Sequence, residues 1–379
     1  MADVYVVGID MIRFGRYPDQ TVVQLAAQAA LGALDDCGLA IGDVQALYSG
    51  NIGETMTGQR TLQVLGQTGI PVVNCTNACA TGATAFREGW TAIKAGLYDT
   101  VLCIGVEKMQ PGMIVKKKVG NEPLPSEGLI GSETMPAVFG LMGMEHSRLY
   151  GTTLEQFAKV SVKNHHHSTL NPKAMYQKET PLEEVLNAEM IAYPNTKLMC
   201  SVNVDGAAAA ILMSEKKARE LGLARRAARV RASALASDPW TERNLVMQDV
   251  NTVTRYAART AYEMAGVGPG DLDLVELHDC FATAEIPHYE NLGLCADGEG
   301  GRLIDSGATA LGGHIPVNVS GGLLSKGHPL GATGIANIYE IVTHLRGEAG
   351  ARQVQNARIG LTHVVGLGSA CAVHILEKV

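Results

Sequence analysis

The sequence predicts a layered α/β protein made of two similar halves, each a mostly parallel or mixed sheet with helices packed on it. Three observations predict this. A short pattern occurs twice, as Cys79-Ala80-Thr81-Gly82-Ala83-Thr84 and as His328-Pro329-Leu330-Gly331-Ala332-Thr333-Gly334, each after an extended stretch and at the opening of a helix. A unit of helix, glycine, short turn and apolar strand also occurs twice. Finally, apolar runs of strand length alternate with segments of helical period in both halves.

In chain order, Val4-Tyr5-Val6-Val7 enters a strand directly. The helix through Ala33 and Leu34 stops at Gly38, because glycine takes the left-handed conformation cheaply. Gly38, Gly42 and Asp43 match Gly266, Gly270 and Asp271 of the second half without a gap. After Cys79, the residues Phe86, Trp90 and Ile93 fall at helical spacing, and Thr100 to Gly105 reads as a buried strand. Residues 112–199 lose the alternation and carry Lys116-Lys117-Lys118, Pro123, Pro125, several methionines and His165-His166-His167. This stretch reads as an inserted, mostly helical loop domain that covers the site. After His328, the residues Ile335, Ile338, Val342 and Leu345 repeat the helical spacing, and Arg358 to Val365 the buried strand. The resulting division is 1–111 and 200–228 for the first half, 112–199 for the loop domain and 229–379 for the second half. A pseudo-twofold between the halves would bring both helix openings to one central site.

Composition narrows the function. The 379 residues are 46% hydrophobic and 18% charged, enough for large buried cores, and 43 glycines suit tight helix-on-sheet packing. A formal charge of -7 argues against nucleic acid or an anionic membrane as partner. No apolar run approaches a membrane span, and neither a signal peptide nor a peroxisomal address is expected at the termini. Eight scattered cysteines without metal-ligand spacing predict free thiols in a reducing cytoplasm.

Four segments carry chemistry. Cys79 is a candidate nucleophile, its thiolate favoured by a helix N-terminus and its own N–H placed to hold an oxyanion; the plain alternative is a buried structural cysteine. His328, in a glycine-rich turn with Pro329 at the first helical position, is a candidate base for it. His278 and Cys280 lie two apart and share a side if extended, with Asp279 turned to the other and orienting the turn. A metal at this pair alone would have too few ligands. Gly366, in His363-Val364-Val365-Gly366, brings backbone N–H groups close to a carbonyl oxygen, or simply ends a strand. The lysine run is a solvated face or a contact for phosphates. The histidine run is expected to be exposed, and the methionines to pack the core.

Together these segments resemble the thiolase superfamily over essentially the whole chain. Asn77-Ala78-Cys79-Ala80-Thr81-Gly82 resembles its nucleophile motif and Gly327-His328-Pro329 its GHP motif. His278-Asp279-Cys280-Phe281 is the form of the sterol-carrier-protein-2-type branch, as are Asp205-Gly206-Ala207-Ala208 and Tyr150-Gly151-Thr152. The resemblance implies a five-layered αβαβα fold with helices between two sheets, a homodimer or higher oligomer, and no metal or redox cofactor, coenzyme A being a substrate. It implies that Cys79 carries the acyl group, His328 activates it, His278 completes an oxyanion hole with His328, and Cys280 moves the proton at the α-carbon. The N–H groups of Cys79 and Gly366 would form a second oxyanion hole. The usual C-terminal Cys-x-Gly is absent, Val364-Val365-Gly366 standing there, and Cys280 is the consistent substitute. No sterol-carrier domain follows, so a stand-alone thiolase-like chain is expected. Competing readings are a catalytic subunit working beside an OB-fold partner, as thiolase or retro-aldol lyase, a ketosynthase-like condensing enzyme, and a non-catalytic acyl-CoA carrier.

Overall fold

The computed structural model describes residues 3–109, 134–240 and 250–379, so Lys116-Lys117-Lys118, Pro123 and Pro125 lie outside the described residues. The first half runs β1 (Val4–Met11), α1 (Val22–Cys37), β2 (Ala46–Gly50), α2 (Thr57–Leu65), β3 (Val72–Cys75), α3 (Thr81–Lys94) and β4 (Thr100–Glu107). There follow α4 (Met135–Tyr150), α5 (Leu154–Thr169), α6 (Leu182–Leu186) and the small hairpin β5 (Met190–Ala192) and β6 (Asn195–Thr196). Then come β7 (Gly206–Ser214), α7 (Glu215–Glu220) and β8 (Ala228–Ala236). The second half continues with α8 (Asn251–Ala265), β9 (Leu274–Glu276), α9 (Ala282–Asn291), α10 (Gly300–Asp305), α11 (Thr333–Arg346), β10 (Ile359–Gly366) and β11 (Ala370–Lys378).

The repeat read from sequence is structural. α1 and α8 end on Gly38 and Gly266, at φ 69° and 65°. Each is followed by one 3-10 turn, in which Asp43 accepts the Ala40 N–H and Asp271 the Gly268 N–H, both at 2.8 Å. The strands form one mixed sheet in the order β3-β2-β4-β7-β1-β8-β11-β10-β9. Read outward from the β1/β8 seam, the order β1-β7-β4-β2 mirrors β8-β11-β10-β9, and the parallel and antiparallel pairings correspond. Val317, bridged in parallel to Val275 of β9, stands where β3 stands in the first half. The seam is only two pairs long, Tyr5 with Arg229 and Val6 with Ala228. The halves thus share hydrogen bonding edge to edge, which the sequence reading of separate sheets did not foresee.

α3 and α11 pack against each other backbone to backbone. A Cβ on Gly82 would lie 2.5 Å from the Gly331 carbonyl oxygen, and one on Gly334 would lie 2.2 Å from the Ala83 nitrogen. Only glycine permits that approach, and it draws the two helix openings together.

Two local expectations need correction. The segment before His328 is one π-helical turn, Gly322–Lys326, and α11 starts at Thr333, four residues after Pro329. The cause is non-local: the Asp279 carboxylate accepts the Leu323 N–H at 2.8 Å and the Leu324 N–H at 3.3 Å, winding the chain around it. Of the histidine run, only His166 is exposed. His165 and His167 are buried, and His167 is satisfied on both nitrogens by the Asn318 carbonyl and the Leu311 N–H. Among the described residues no helix is long and apolar enough to cross a membrane.

Candidate active site

Between β3 and α3 the chain turns sharply at Ala78, whose φ of 46° is left-handed, a costly choice for a residue with a Cβ. The turn is held by the Asn77 N–H donating to Thr81 Oγ1 at 2.8 Å and by Asn77 Nδ2 donating to Thr84 Oγ1 at 2.9 Å. Cys79 sits on the bend, two residues ahead of α3. The end of β10 backs onto it so closely that a Cβ on Gly366 would lie 2.2 Å from the Asn77 carbonyl oxygen.

His328 is set by its backbone N–H, which donates to the Val202 carbonyl at 2.9 Å, and by Thr333, whose Oγ1 lies 2.7 Å from Nδ1. Thr333 spends its only hydroxyl proton on the Pro329 carbonyl, at 3.0 Å. It must therefore accept from His328, which places the imidazole proton on Nδ1 and leaves the Nε2 lone pair free. The matched Thr84 in the cysteine copy likewise donates to the carbonyl four residues back, Ala80, at 3.0 Å.

Past the end of β9, the Leu277 N–H donates to Asn318 Oδ1 and the His278 N–H to His363 Nδ1. Asp279 turns away to the π-helical turn and to Asn164 Nδ2 at 2.8 Å, as the alternation of side chains implied. The fold then brings the separated residues together. The Cys79 sulfur and a ring nitrogen from each of His278 and His328 lie within 4.8 Å of one another. The two imidazoles meet edge to face, with centroids 5.3 Å apart. Cys280 is near enough for charge on Cys79 to oppose its ionisation. Phe139 of α4 stacks on Phe281 at 5.3 Å and meets the His278 ring edge at 6.4 Å. Met109, Leu330 and Val364 pack around Cys79 with Ile52.

Burial sets the protonation states. It pushes the Cys79 thiol up to about 12 against the opposing pull of its own N–H, and Cys280 well above its ordinary value. It drives His328 down to about 3, helped by the Lys326 charge, and His278 well below its ordinary range, helped by His328. All four shifts favour the uncharged forms, two thiols and two neutral imidazoles, so burial works against the thiolate that the helix N-terminus favours.

The sequence reading missed Thr333, Phe139, His363 and Glu107. Thr333 lay inside the quoted pattern, and its spacing five residues from His328 was the available signal. Glu107 closes β4 under the site. Its buried carboxylate accepts the Ile52 N–H at 3.0 Å, the Gly53 N–H at 3.1 Å and Asn51 Nδ2 at 3.0 Å, and also the Gly331 N–H. It thus ties the loop carrying Ile52 to the one carrying His328.

A cysteine beside two histidines at the centre of a paired α/β fold is an arrangement chemically able to form and transfer a covalent acyl group. Residues 4–190 match the thiolase N-terminal domain and residues 239–378 the thiolase C-terminal domain-like family. Sterol carrier protein 2 of Bos taurus is 41% identical over 395 residues, 99% of this chain and 72% of that protein. An acetyl-CoA acetyltransferase of Methanothermobacter thermautotrophicus is 41% identical over 394 residues, all of both chains. The solved Ltp2-ChsH2(DUF35) aldolase shares the fold, with a TM-score of 0.84 over 99% of this chain and 98% of that one, at 24% identity. The chain belongs to the thiolase family and is a thiolase-type acyltransferase.

Proposed function

We propose that the protein cleaves 3-oxoacyl-CoA with coenzyme A, or runs the reverse Claisen condensation, through an acyl group carried on Cys79. The observation that carries this reading is the buried cluster of Cys79, His278, His328 and Cys280, with the His328 Nε2 lone pair free. As the Cys79 sulfur attacks the 3-keto carbon, its proton passes to His328 Nε2. The tetrahedral oxyanion collapses, the C2–C3 bond breaks, and the electron pair leaves as the enolate of acetyl-CoA. Cys280 donates its proton to that carbon; its raised pKa keeps the proton in place until the enolate forms. Coenzyme A then attacks the acyl–Cys79 thioester, giving its thiol proton to the Cys280 thiolate, and the departing Cys79 sulfur takes its proton back from His328, which restores the starting centre. His278 and His328 hold the first oxyanion, and the N–H groups of Cys79 and Gly366 the acyl carbonyl. Phe139 and Phe281 form the wall beside His278 against which the acyl chain lies.

The same reading extends to architecture. α3 and α11, interlocked between the two halves, with α1 on β1 and β7 and α8 on β8 and β11, support the five-layered αβαβα arrangement. The first half is 1–111 with 200–228, the loop domain 112–199 and the second half 229–379. The outer strand β3, with Val73 exposed on the sheet edge, supports pairing of two copies into a homodimer. Eight free cysteines support a reducing compartment, the cytoplasm.

Mass spectrometry after mixing with a panel of acyl-CoAs and 3-oxoacyl-CoAs tests the mechanism. An acyl adduct on the Cys79 peptide is expected, lost in Cys79→Ala. Cys280→Ala is expected to keep the adduct from acyl-CoA while losing C–C cleavage by at least about 100-fold. An active Cys79→Ala protein would end the covalent reading. An adduct that forms only after an OB-fold protein is added would assign the heteromeric form.

A further inference from the structure

His278 and Cys280, read from sequence, offer a metal too few ligands. The fold instead gathers His278 with Cys79 and His328. We propose that Cys79, His278 and His328 together form a binding site for a soft or borderline divalent cation of the zinc class, its fourth position left to solvent, and that the bound ion competes with acylation of Cys79.

Four observations point to this. Three donor atoms, the Cys79 sulfur and one nitrogen from each imidazole, already lie within 4.8 Å of one another. A tetrahedral zinc centre needs donor separations of about 3.3–3.8 Å, so side-chain shifts of about 1 Å close it. Both nitrogens of His278 and Nε2 of His328 are buried without a protein hydrogen-bond partner, so no existing bond is broken to free them. Thr333 orients the other nitrogen of His328 as an outer-shell partner does in metal sites. Cys79, His278 and His328 are all buried, so the three donors need no rearrangement to leave water.

Charge and donor chemistry select the ion. A divalent cation displaces the Cys79 proton to solvent, so one thiolate and two neutral imidazoles leave a single positive charge, which a hydroxide or other anion in the fourth position neutralises. Among the described residues no carboxylate belongs to the donor group, and Asp279, next to His278 in the chain, is held away by Leu323, Leu324 and Asn164. Magnesium and calcium, which require oxygen ligands, are excluded on that ground.

The donor geometry stands without the proposed reaction; only the competitive inhibition rests on it. Cobalt(II) is the probe, titrated into the whole protein free of thiol reductant. The expected result is one ion per chain, with sulfur-to-cobalt charge transfer and the visible bands of a tetrahedral site, at least about one proton released per ion, and displacement by zinc. Cys79→Ser and His278→Ala are each expected to weaken binding at least about 100-fold. Alkylation of Cys79 in the unmutated protein must do the same, which guards against a variant that fails to fold. His166→Ala, which removes an exposed imidazole, leaves binding unchanged. An octahedral spectrum, or binding indifferent to Cys79 alkylation, means adventitious surface binding and overturns the site. A tetrahedral spectrum in a protein that forms no acyl adduct keeps the site and refutes the reaction. Acyl-adduct formation that zinc does not slow, together with the spectrum, refutes the competition.

Discussion

Thr333 decides which nitrogen of His328 can act as base, because its hydroxyl has one proton and Pro329 takes it. Thr333→Val keeps the shape and removes that control. We expect kcat to fall about 10–100-fold with little change in KM, and the imidazole nitrogen shifts in the NMR spectrum to show mixed tautomers. Glu107 makes a second prediction at this scale. Burial raises its carboxyl to about 7 despite the four donors around it. Folding therefore favours the protonated form, so its contribution to stability is full below the unfolded value near 4.5 and is lost as pH rises through 7. Between those limits the unmutated protein should lose about 2–3 kcal/mol relative to Glu107→Gln, measured by denaturant unfolding at each pH; parallel curves would refute it. Cys79 and His328 were legible because each heads a short glycine-marked pattern, and His278 and Cys280 because they lie two apart at the end of an apolar strand. Phe139 was not, since its place beside His278 is set by how α4 packs, and no spacing in residues 112–199 encodes that.

At the scale of elements, the contact of α3 with α11 is what aligns nucleophile and base. Gly334→Ala places a methyl against the Ala83 backbone, which cannot yield as a side chain can. We expect a loss of about 2–3 kcal/mol in unfolding free energy and a larger proportional loss of activity, since His328 rides on the same segment. Gly42→Ala, where a Cβ meets nothing within 4 Å, serves as the control and stays within about 0.5 kcal/mol. The helices and buried strands of both halves were legible from period and glycine stops. The π-helical turn was not, because Asp279 shapes it from 44 residues away. The same limit explains His165 and His167: a polar helix reads as solvent-facing until Ser325 and Tyr176 meet His165 and Asn318 and Leu311 meet His167.

For the whole molecule, the proposed dimer is testable at β3. Val73→Lys places a charge on the exposed edge, and sedimentation is expected to show at least about a 10-fold weaker dimer with an unchanged monomer spectrum; a wild-type monomer at micromolar concentration would refute the edge pairing. The strand order has another consequence, felt before the protein is complete. β1 is made first, yet its partners are β7, where Val4 meets Ser214, and β8. At ribosomal speeds of about 5–20 residues per second, that pairing waits roughly 10–40 s after β1 is synthesised. All but one of its eight residues are buried in the finished protein, so the nascent chain carries an unpaired apolar strand throughout that interval. Stalled or truncated translation before residue 214 leaves a sticky fragment, and the protein's yield depends on how well the cell shelters its first strand.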